Sequence, residues 1–326
     1  MMKVLVTGGS GFIGTNLVEH YTNLGFHVVN IDVATPRNPA HLPYWAQLDI
    51  RDGGRLREAV QRFSPNLILH MAARTDLDGH SLSDYSANTE GVKAVIQAAV
   101  CLPNLTRVVF ASSMLVCALG YHPKHESDYC PTTRYGESKV AGERYVRELA
   151  TGQFPWTIVR PTSLWGPWFG VPYKNFFDAV AKRKYLHPKE RKVHRSYGFV
   201  LNSIHQLTRI ASCEDQGLVD GKILYLADYQ PIELWQWARA ISERFGVPPP
   251  REAPVGLLRC FAVVGDALRR MGIVRHPPLT SSRLRNLLTD AVFDLRVLES
   301  IAGTLPYDLE QGVAATVDWI QRSGQQ

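Results

Sequence analysis

Long uninterrupted apolar runs are missing from this 326-residue chain. The longest apolar stretch, residues 253–274, is broken by Arg259, Asp266, Arg269 and Arg270. A membrane span needs roughly twenty consecutive apolar residues, so none is expected. Cysteine is scarce: Cys101, Cys117, Cys130, Cys213 and Cys260 are odd in number, scattered, and never spaced C-x-x-C. That argues against structural disulfides and zinc, and predicts a reducing cytoplasmic setting. The first residues, Met-Met-Lys-Val-Leu-Val, run straight into a glycine-rich turn, which predicts no secretory leader. His122 and His125 in YHPKHES lack a third ligand pattern and read as loop residues, so no metal is expected. Repeats and low-complexity tracts are also missing.

Net charge is low for the length, at +6, but it is unevenly spread. Lys182, Arg183, Lys184, Lys189, Arg191, Lys192 and Arg195 fall within fourteen positions. Such a stretch attracts anions. No helix-turn-helix, zinc-finger or aromatic RNA-binding pattern accompanies it, so nucleic acid is disfavoured and a solvated surface or an anionic small molecule remain.

What the chain does have is alternation. MKVLVTG (2–8), HVVNID (27–32), NLILHMAA (66–73), RVVFASS (107–113) and WTIVRPT (156–162) read as strands. Helix-like periodicity occupies about 12–24, 53–63, 84–100 and 135–150 between them. This predicts an α/β fold, a Rossmann-like doubly wound parallel sheet with a smaller C-terminal substrate-binding lobe. The sheet domain is expected over residues 1–166, with the chain returning to it near 195–230, and the lobe mainly over 167–326. The rhythm breaks after Gly166-Pro167, and ILYLA (223–227) reads as the return strand. Trp235 and Trp237 lie on a helix-like segment and read as packing residues.

Gly8, Gly11 and Gly14 in TGGSGFIG follow the first strand and open the first helix. In that position the first two glycines allow a tight turn and close approach of a pyrophosphate, and the third allows close helix packing. The helix N-terminus then faces the phosphates with its amides. Asp32 closes the next strand, where a carboxylate would hydrogen-bond an adenosine ribose and repel a 2′-phosphate. NAD is therefore favoured over NADP, with Arg37 keeping NADP open.

TTRYGESKVAGERYV (132–146) puts Tyr135 and Lys139 one helical turn apart, on one face. Ser113 ends the fourth of these strands, and carboxyl ends of parallel strands are where open α/β sheets bind ligands. Ser113, Tyr135 and Lys139 on a glycine-rich nucleotide fold resemble the extended branch of the short-chain dehydrogenase/reductase family. LDIRD (48–52), HMAAR (70–74), Asn88 in YSANTEGV, FASS and YGESK follow in the family's order. The resemblance covers residues 2 to about 205 well and the remainder more loosely.

The resemblance implies an NAD-dependent enzyme in which Tyr135 exchanges a substrate hydroxyl proton while a hydride passes to and from the nicotinamide. Ser113 would bond the same oxygen. Lys139 would lower the phenol's pKa from about 10 and hold the nicotinamide ribose. The cofactor contacts implied are Gly8, Gly11, Phe12, Ile13, Gly14 and Asp32. Asp49 and Ile50 would lie at the adenine, with Met71, Ala72, Ala73 and Arg74 along the cleft. Asn88, Tyr135, Lys139 and Thr162 complete the set. Asn88 has an alternative as a helix residue that ties strand ends.

For the substrate, HRSYGFVLN (194–202) resembles the pattern of nucleotide-sugar epimerases like UDP-glucose 4-epimerase, with Arg195 as the diphosphate contact. YKNFF (173–177) offers Asn175 near the same group. Departures are Ser163 where an Asn is usual, and Cys117 and Ala118 where Tyr and Gly are usual. Met114 and Leu115 follow Ser113, so the acidic groups that dehydratases and decarboxylating members carry there are missing. Bare redox and proton chemistry remains. The expected activity is NAD-dependent epimerisation of a nucleotide sugar, at C4 and on a UDP-sugar, feeding polysaccharide synthesis. Two alternatives stay open. One is an NAD(P)-dependent dehydrogenase of a sterol-like or other apolar alcohol, resembled by PVGLLRCFAVVGDALRRMG (254–272). The other is a non-catalytic NAD sensor. A homodimer is compatible with the sequence.

Overall fold

The computed structural model describes residues 2–189, 191–274, 277 and 279–323. In chain order it opens with β1 (Lys3–Thr7), α1 (Phe12–Asn23), β2 (His27–Asp32), β3 (Trp45–Gln47), α2 (Gly53–Phe63) and β4 (Leu67–His70). Next come α3 (Ser86–Val100), β5 (Arg107–Ala111), α4 (Arg134–Leu149), β6 (Trp156–Pro161) and β7 (Ser163–Trp165). α5 (Tyr173–Ala181), β8 (Leu186–Pro188), β9 (His194–Arg195), β10 (Tyr197–Phe199), α6 (Val200–Ala211) and α7 (Gln216–Val219) follow. The chain then forms β11 (Lys222–Leu226), β12 (Ile232–Glu233), α8 (Leu234–Phe245), β13 (Arg251–Ala253) and α9 (Val255–Arg270). It ends with α10 (Ser281–Leu287), α11 (Arg296–Ala302) and α12 (Leu309–Ser323).

Two compact units divide the chain: residues 1–168, 198–229 and 294–306 form the first, and 169–197, 230–293 and 307–326 the second. In the first, seven strands make one parallel sheet in the order β11-β6-β5-β4-β1-β2-β3. The inner strands are buried along nearly their whole length, as in LILH of β4 and RVVF of β5, because helices cover both faces. From β1 the chain builds outward through β2 and β3, then restarts at β4 on the other side of β1 and builds the opposite way. That reversal opens a crevice beyond the carboxyl ends of β1 and β4.

Local chemistry sets the helix ends. The Asp52 side chain accepts from Arg55 N to start α2, and Ser64 in the left-handed region ends it. Thr133 accepts from Gly136 N to start α4. α4 then lies close on α3, since a Cβ on Gly142 would sit 2.9 Å from the Asn88 carbonyl oxygen. The periodic segment from residue 84 begins as a short 3-10 turn, Leu82–Tyr85, before α3 proper. β3 has no apolar run to announce it; its Trp45 indole donates to the Asp32 carbonyl at 3.0 Å and pins it beside β2.

The second unit has its own aromatic core. Phe176 stacks on Trp237 with centroids 4.7 Å apart, and Phe177 and Tyr197 meet the same indole edge-on.

Gly142→Ala should separate α3 from α4, because the new methyl meets backbone rather than a movable side chain. A loss of about 1–3 kcal/mol is expected, read as a lower urea midpoint; an unchanged midpoint contradicts the close crossing.

Candidate active site

The glycine loop sits at the crevice. Gly8 has φ +74°, and a Cβ there would fall 2.5 Å from Ala72 N, so the turn presses on the chain leaving β4. A Cβ on Gly14 would lie 2.0 Å from the Gly8 carbonyl oxygen, so only glycine lets the first turn of α1, which holds Phe12 and Ile13, seat on the loop. Gly11 precedes α1 with no side-chain cap. The helix therefore presents its N-terminal amides and positive dipole end to an anion. Asp32 ends β2 with one carboxylate oxygen accepting from Ser10 N at 3.0 Å and the other from Ala34 N at 2.9 Å. This cradle and acceptor fit the pyrophosphate and ribose of NAD. The Arg37 guanidinium donates to the Trp168 carbonyl at 2.5 Å.

The other expected cofactor contacts are placed less uniformly. Asp49 is gripped by the Arg51 guanidinium, which holds its carboxyl below the usual range. The Ile50 side chain is in the core beneath Gly91. Met71 and Ala72 follow β4, and their amides donate to the Thr7 carbonyl and hydroxyl. Ala73 follows, half-buried, and Arg74 forms an ion pair with Asp76. Asn88 exchanges two hydrogen bonds with the Arg74 backbone and donates to the Ser138 hydroxyl at 2.9 Å. It ties the loop after β4 to α3 and α4, the alternative reading of this residue. Thr162 donates to the Leu226 carbonyl at 3.0 Å and joins the ends of β6 and β11.

Ser113, Tyr135 and Lys139 come together. Ser113 follows β5 and starts a short turn, its hydroxyl accepting from Leu115 N at 3.1 Å. Tyr135, in the first turn of α4, is buried, with Ser113 near enough to act on its phenol. Lys139, one turn on, donates to the Ala111 carbonyl at 2.9 Å, and its ammonium lies 6.0 Å from the Tyr135 ring centroid. The expected depression of the phenol's pKa is not what this geometry produces. Burial dominates and pushes Tyr135 up to about 12, against a smaller pull from the Ser113 hydroxyl. Burial also pulls Lys139 down to about 8, partly offset by Glu143. At neutral pH the phenol holds its proton and the ammonium its charge.

Beneath them lies a polar set that the sequence analysis missed. Glu143 and Arg160 form an ion pair at 2.8 Å with side chains 1% and 2% exposed. Ser112 and Tyr129 donate to the same carboxylate, at 2.5 and 2.9 Å, and Arg160 also donates to the Glu126 carbonyl. The Tyr129 and Tyr225 rings flank the guanidinium. Glu143 could have been found from spacing, since 135, 139 and 143 lie on one helix face. A cavity of about 20 Å³, room for roughly one water, is lined by Lys139, Glu143, Ser112, His70 and Asn88. Burial and the Lys139 charge push His70 down to about 3, so it is neutral, and it hydrogen-bonds the Thr7 hydroxyl at 2.7 Å.

The two expected substrate contacts lie in the second unit. Asn175 is exposed on α5. Arg195 is buried in β9; its guanidinium donates to the Asn286 carbonyl, and among the described residues its buried Nε has no hydrogen-bond partner.

A Rossmann-type sheet with a glycine cradle and a Ser-Tyr-Lys cluster defines a nucleotide-dependent redox enzyme. Residues 4–199 match the model of the NAD dependent epimerase/dehydratase family, and the chain belongs to that family of the extended short-chain dehydrogenases/reductases. It is 25% identical to an N-acetyl-alpha-D-glucosaminyl-diphospho-ditrans,octacis-undecaprenol 4-epimerase of Escherichia coli O157:H7, over 97% of this chain and 95% of that one. It is 28% identical to a 3 beta-hydroxysteroid dehydrogenase/Delta 5-->4-isomerase of Mycobacterium tuberculosis, over 76% and 71%. In fold it is similar to the UDP-glucose 4-epimerase of Thermotoga maritima, with TM-score 0.75, 17% identity and 99% of each chain covered.

Two outcomes follow from this geometry. Lys139 has its pKa lowered on folding, so its contribution to stability is present above 10.5 and lost as pH falls through about 8. Thermal unfolding of wild type and Lys139→Met across that window should therefore show the wild type gaining on the variant as pH rises; a pH-independent difference contradicts the buried ammonium. Asp32→Ala should narrow the preference for NAD over NADP in direct titration, as it removes an acceptor for one and a repulsion for the other. A wild type that already prefers NADP contradicts the reading of Asp32.

Proposed function

We propose that this protein is an NAD-dependent nucleotide-sugar epimerase, acting at C4 of a UDP-sugar. The observation that carries the chemistry is the buried Ser113-Tyr135-Lys139 cluster with no additional proton-transfer group in the turn after Ser113, where Met114 and Leu115 stand. Glu143, on the same helix face, is locked by Arg160 and by the hydroxyls of Ser112 and Tyr129 and is unsuited to a proton-transfer role.

The glycine cradle and Asp32 would hold NAD, which would supply reversible hydride uptake at the sugar carbon. Tyr135, once ionised to the phenolate, takes the proton of the substrate hydroxyl and later gives it back to the same oxygen. Ser113 donates a hydrogen bond to that oxygen as it becomes a carbonyl. A phenol raised to about 12 is protonated near neutral pH and a weak acid, so it becomes the base the reaction needs only as a phenolate, the form a nearby Lys139 ammonium stabilises. Hydride removed from one face of the carbon and restored to the other would invert it with no net oxidant consumed.

The nucleotide-sugar reading is supported by Arg195, whose buried guanidinium keeps an Nε without a partner among the described residues. Arginine suits a diphosphate through parallel charge-assisted hydrogen bonds. A relative similar over nearly its whole length is a 4-epimerase of a sugar linked through a diphosphate to undecaprenol, which supports C4 epimerisation and a diphosphate contact but not a nucleotide. A second reading, dehydrogenation of a sterol-like alcohol, is favoured by the mycobacterial steroid dehydrogenase relative and the apolar α9.

Tyr135→Phe, which removes only the transferable proton, should cut turnover by a factor of about 100 or more with NAD affinity little changed; near-normal turnover contradicts the assignment. Arg195→Ala should raise KM for a UDP-sugar by about 10- to 100-fold and leave NAD affinity nearly constant. Protection of the NAD-loaded protein from thermal unfolding by a sterol, and none by UDP or another nucleoside diphosphate, would favour the second reading.

A further inference from the structure

α9 in the second unit is amphipathic with its apolar surface on the outside. A narrow face of Leu258, Ala262 and Gly265 is buried; Leu258 and Ala262 pack with Leu284 of α10, and Gly265 lies against the backbone of Leu279. The rest of the helix keeps large apolar side chains in water: Leu257 is 46% exposed, Phe261 48%, Val263 62% and Val264 55%, and Met271 and Ile273 continue the patch at 63% and 65%. At 3.6 residues per turn, Leu257, Phe261, Val264 and Met271 share one arc with the exposed Cys260. Scattered exposed leucines need no explanation, but a contiguous apolar arc of this kind marks an interaction surface.

Its charges identify the partner. Arg259, Arg269 and Arg270 are exposed on the helix, with Arg259 and Arg270 bordering the arc beside Val263. The helix's one acid, Asp266, is half-buried and accepts from Ser281 N at 3.2 Å, so the exposed charges of α9 are all positive. β8 pairs with β13 immediately before α9, and Lys189 N donates to the Ala253 carbonyl at 3.1 Å. The basic stretch that otherwise has no role, with Lys182, Arg183 and Lys184 before β8 and Arg191 and Lys192 after it, is exposed and thereby joined to the start of α9. Two copies meeting through this face about a twofold axis would oppose arginine with arginine. An anionic bilayer has what the face lacks: acyl chains for the apolar arc and phosphates for the guanidinium groups.

We propose that α9, with Phe261 and Val264 on its apolar arc and Arg259 and Arg270 beyond Val263 at its other edge, is a reversible docking surface for anionic lipid membranes. The apolar side chains enter the headgroup boundary while the arginines reach the phosphates. This stands apart from the assignment of the active site, whose residues it does not use.

The test is flotation of the full chain with vesicles of phosphatidylcholine alone and of phosphatidylcholine with a third phosphatidylglycerol. Binding is expected to the anionic vesicles only and to weaken with salt. Phe261→Glu combined with Val264→Glu should cut it about tenfold or more, and Arg259→Gln with Arg270→Gln should cut it several-fold. Unfolding temperature checks that the variants fold. Cys260 supplies an independent readout, because it is exposed on the arc. In a Cys101→Ser, Cys213→Ser background, nitrobenzoxadiazole on Cys260 should shift to the blue on adding anionic vesicles. The same dye on Cys101 in a Cys260→Ser background should not. Absence of binding, binding unaffected by the glutamate pair, or an unshifted Cys260 probe would overturn the proposal. So would a dimer that Phe261→Glu converts to monomer while vesicles bind nothing, which would assign the face to a second copy of the chain.

Discussion

The ion pair between Arg160 and Glu143 is the interaction on which the active-site geometry depends. It joins β6 to α4 from inside the first unit, with Ser112 and Tyr129 completing the carboxylate's bonds. Taking both charges out of water is costly, and their attraction compensates only when the remaining donors and acceptors are matched. Here they are matched closely. Glu143 lies two turns beyond Tyr135 and one beyond Lys139 on the same face of α4. Fixing Glu143 against Arg160 therefore sets the rotation of α4 about its axis, and with it the approach of the phenol to Ser113. Asn88 and the close crossing at Gly142 fix α4 against α3 from the other side.

The same burial that makes the site rigid sets its proton chemistry. Lys139 keeps its charge near neutral pH because the Ala111 carbonyl and Glu143 compensate part of the desolvation. Tyr135 has no such compensation beyond Ser113 and so holds its proton firmly. In this neutral form Tyr135 cannot take a proton from a substrate oxygen. Taking one requires additional positive charge in the crevice, and the glycine cradle and Asp32 are arranged to admit a nucleotide there.

Much of this was legible in the sequence, for identifiable reasons. Strands buried on both faces read as continuous apolar runs, so β1, β2, β4, β5 and β6 declared themselves, and the glycine spacing identified the cradle. β3 escaped notice because Trp-Ala-Gln has no apolar run, and it is positioned by one indole hydrogen bond. The segment 294–306 belongs to the first unit, although nothing local in it signals a return to the sheet. The Arg160–Glu143 pair was hidden because its members sit in different elements, and no motif spacing links a helix residue to a strand residue. The raised Tyr135 pKa was hidden for a related reason. A motif shows that two groups are near each other, but the pKa is decided by how much water each has lost, which only packing reveals.

The central claim is that the chain inverts a sugar carbon by removing and returning the same hydride, with Tyr135 handling the proton. The most direct measurement uses a UDP-sugar carrying deuterium at C4, turned over in ordinary water and followed by nuclear magnetic resonance. The account predicts that the epimer retains deuterium at the inverted carbon. Loss of deuterium to solvent would contradict it, because the carbon would then have been deprotonated rather than oxidised.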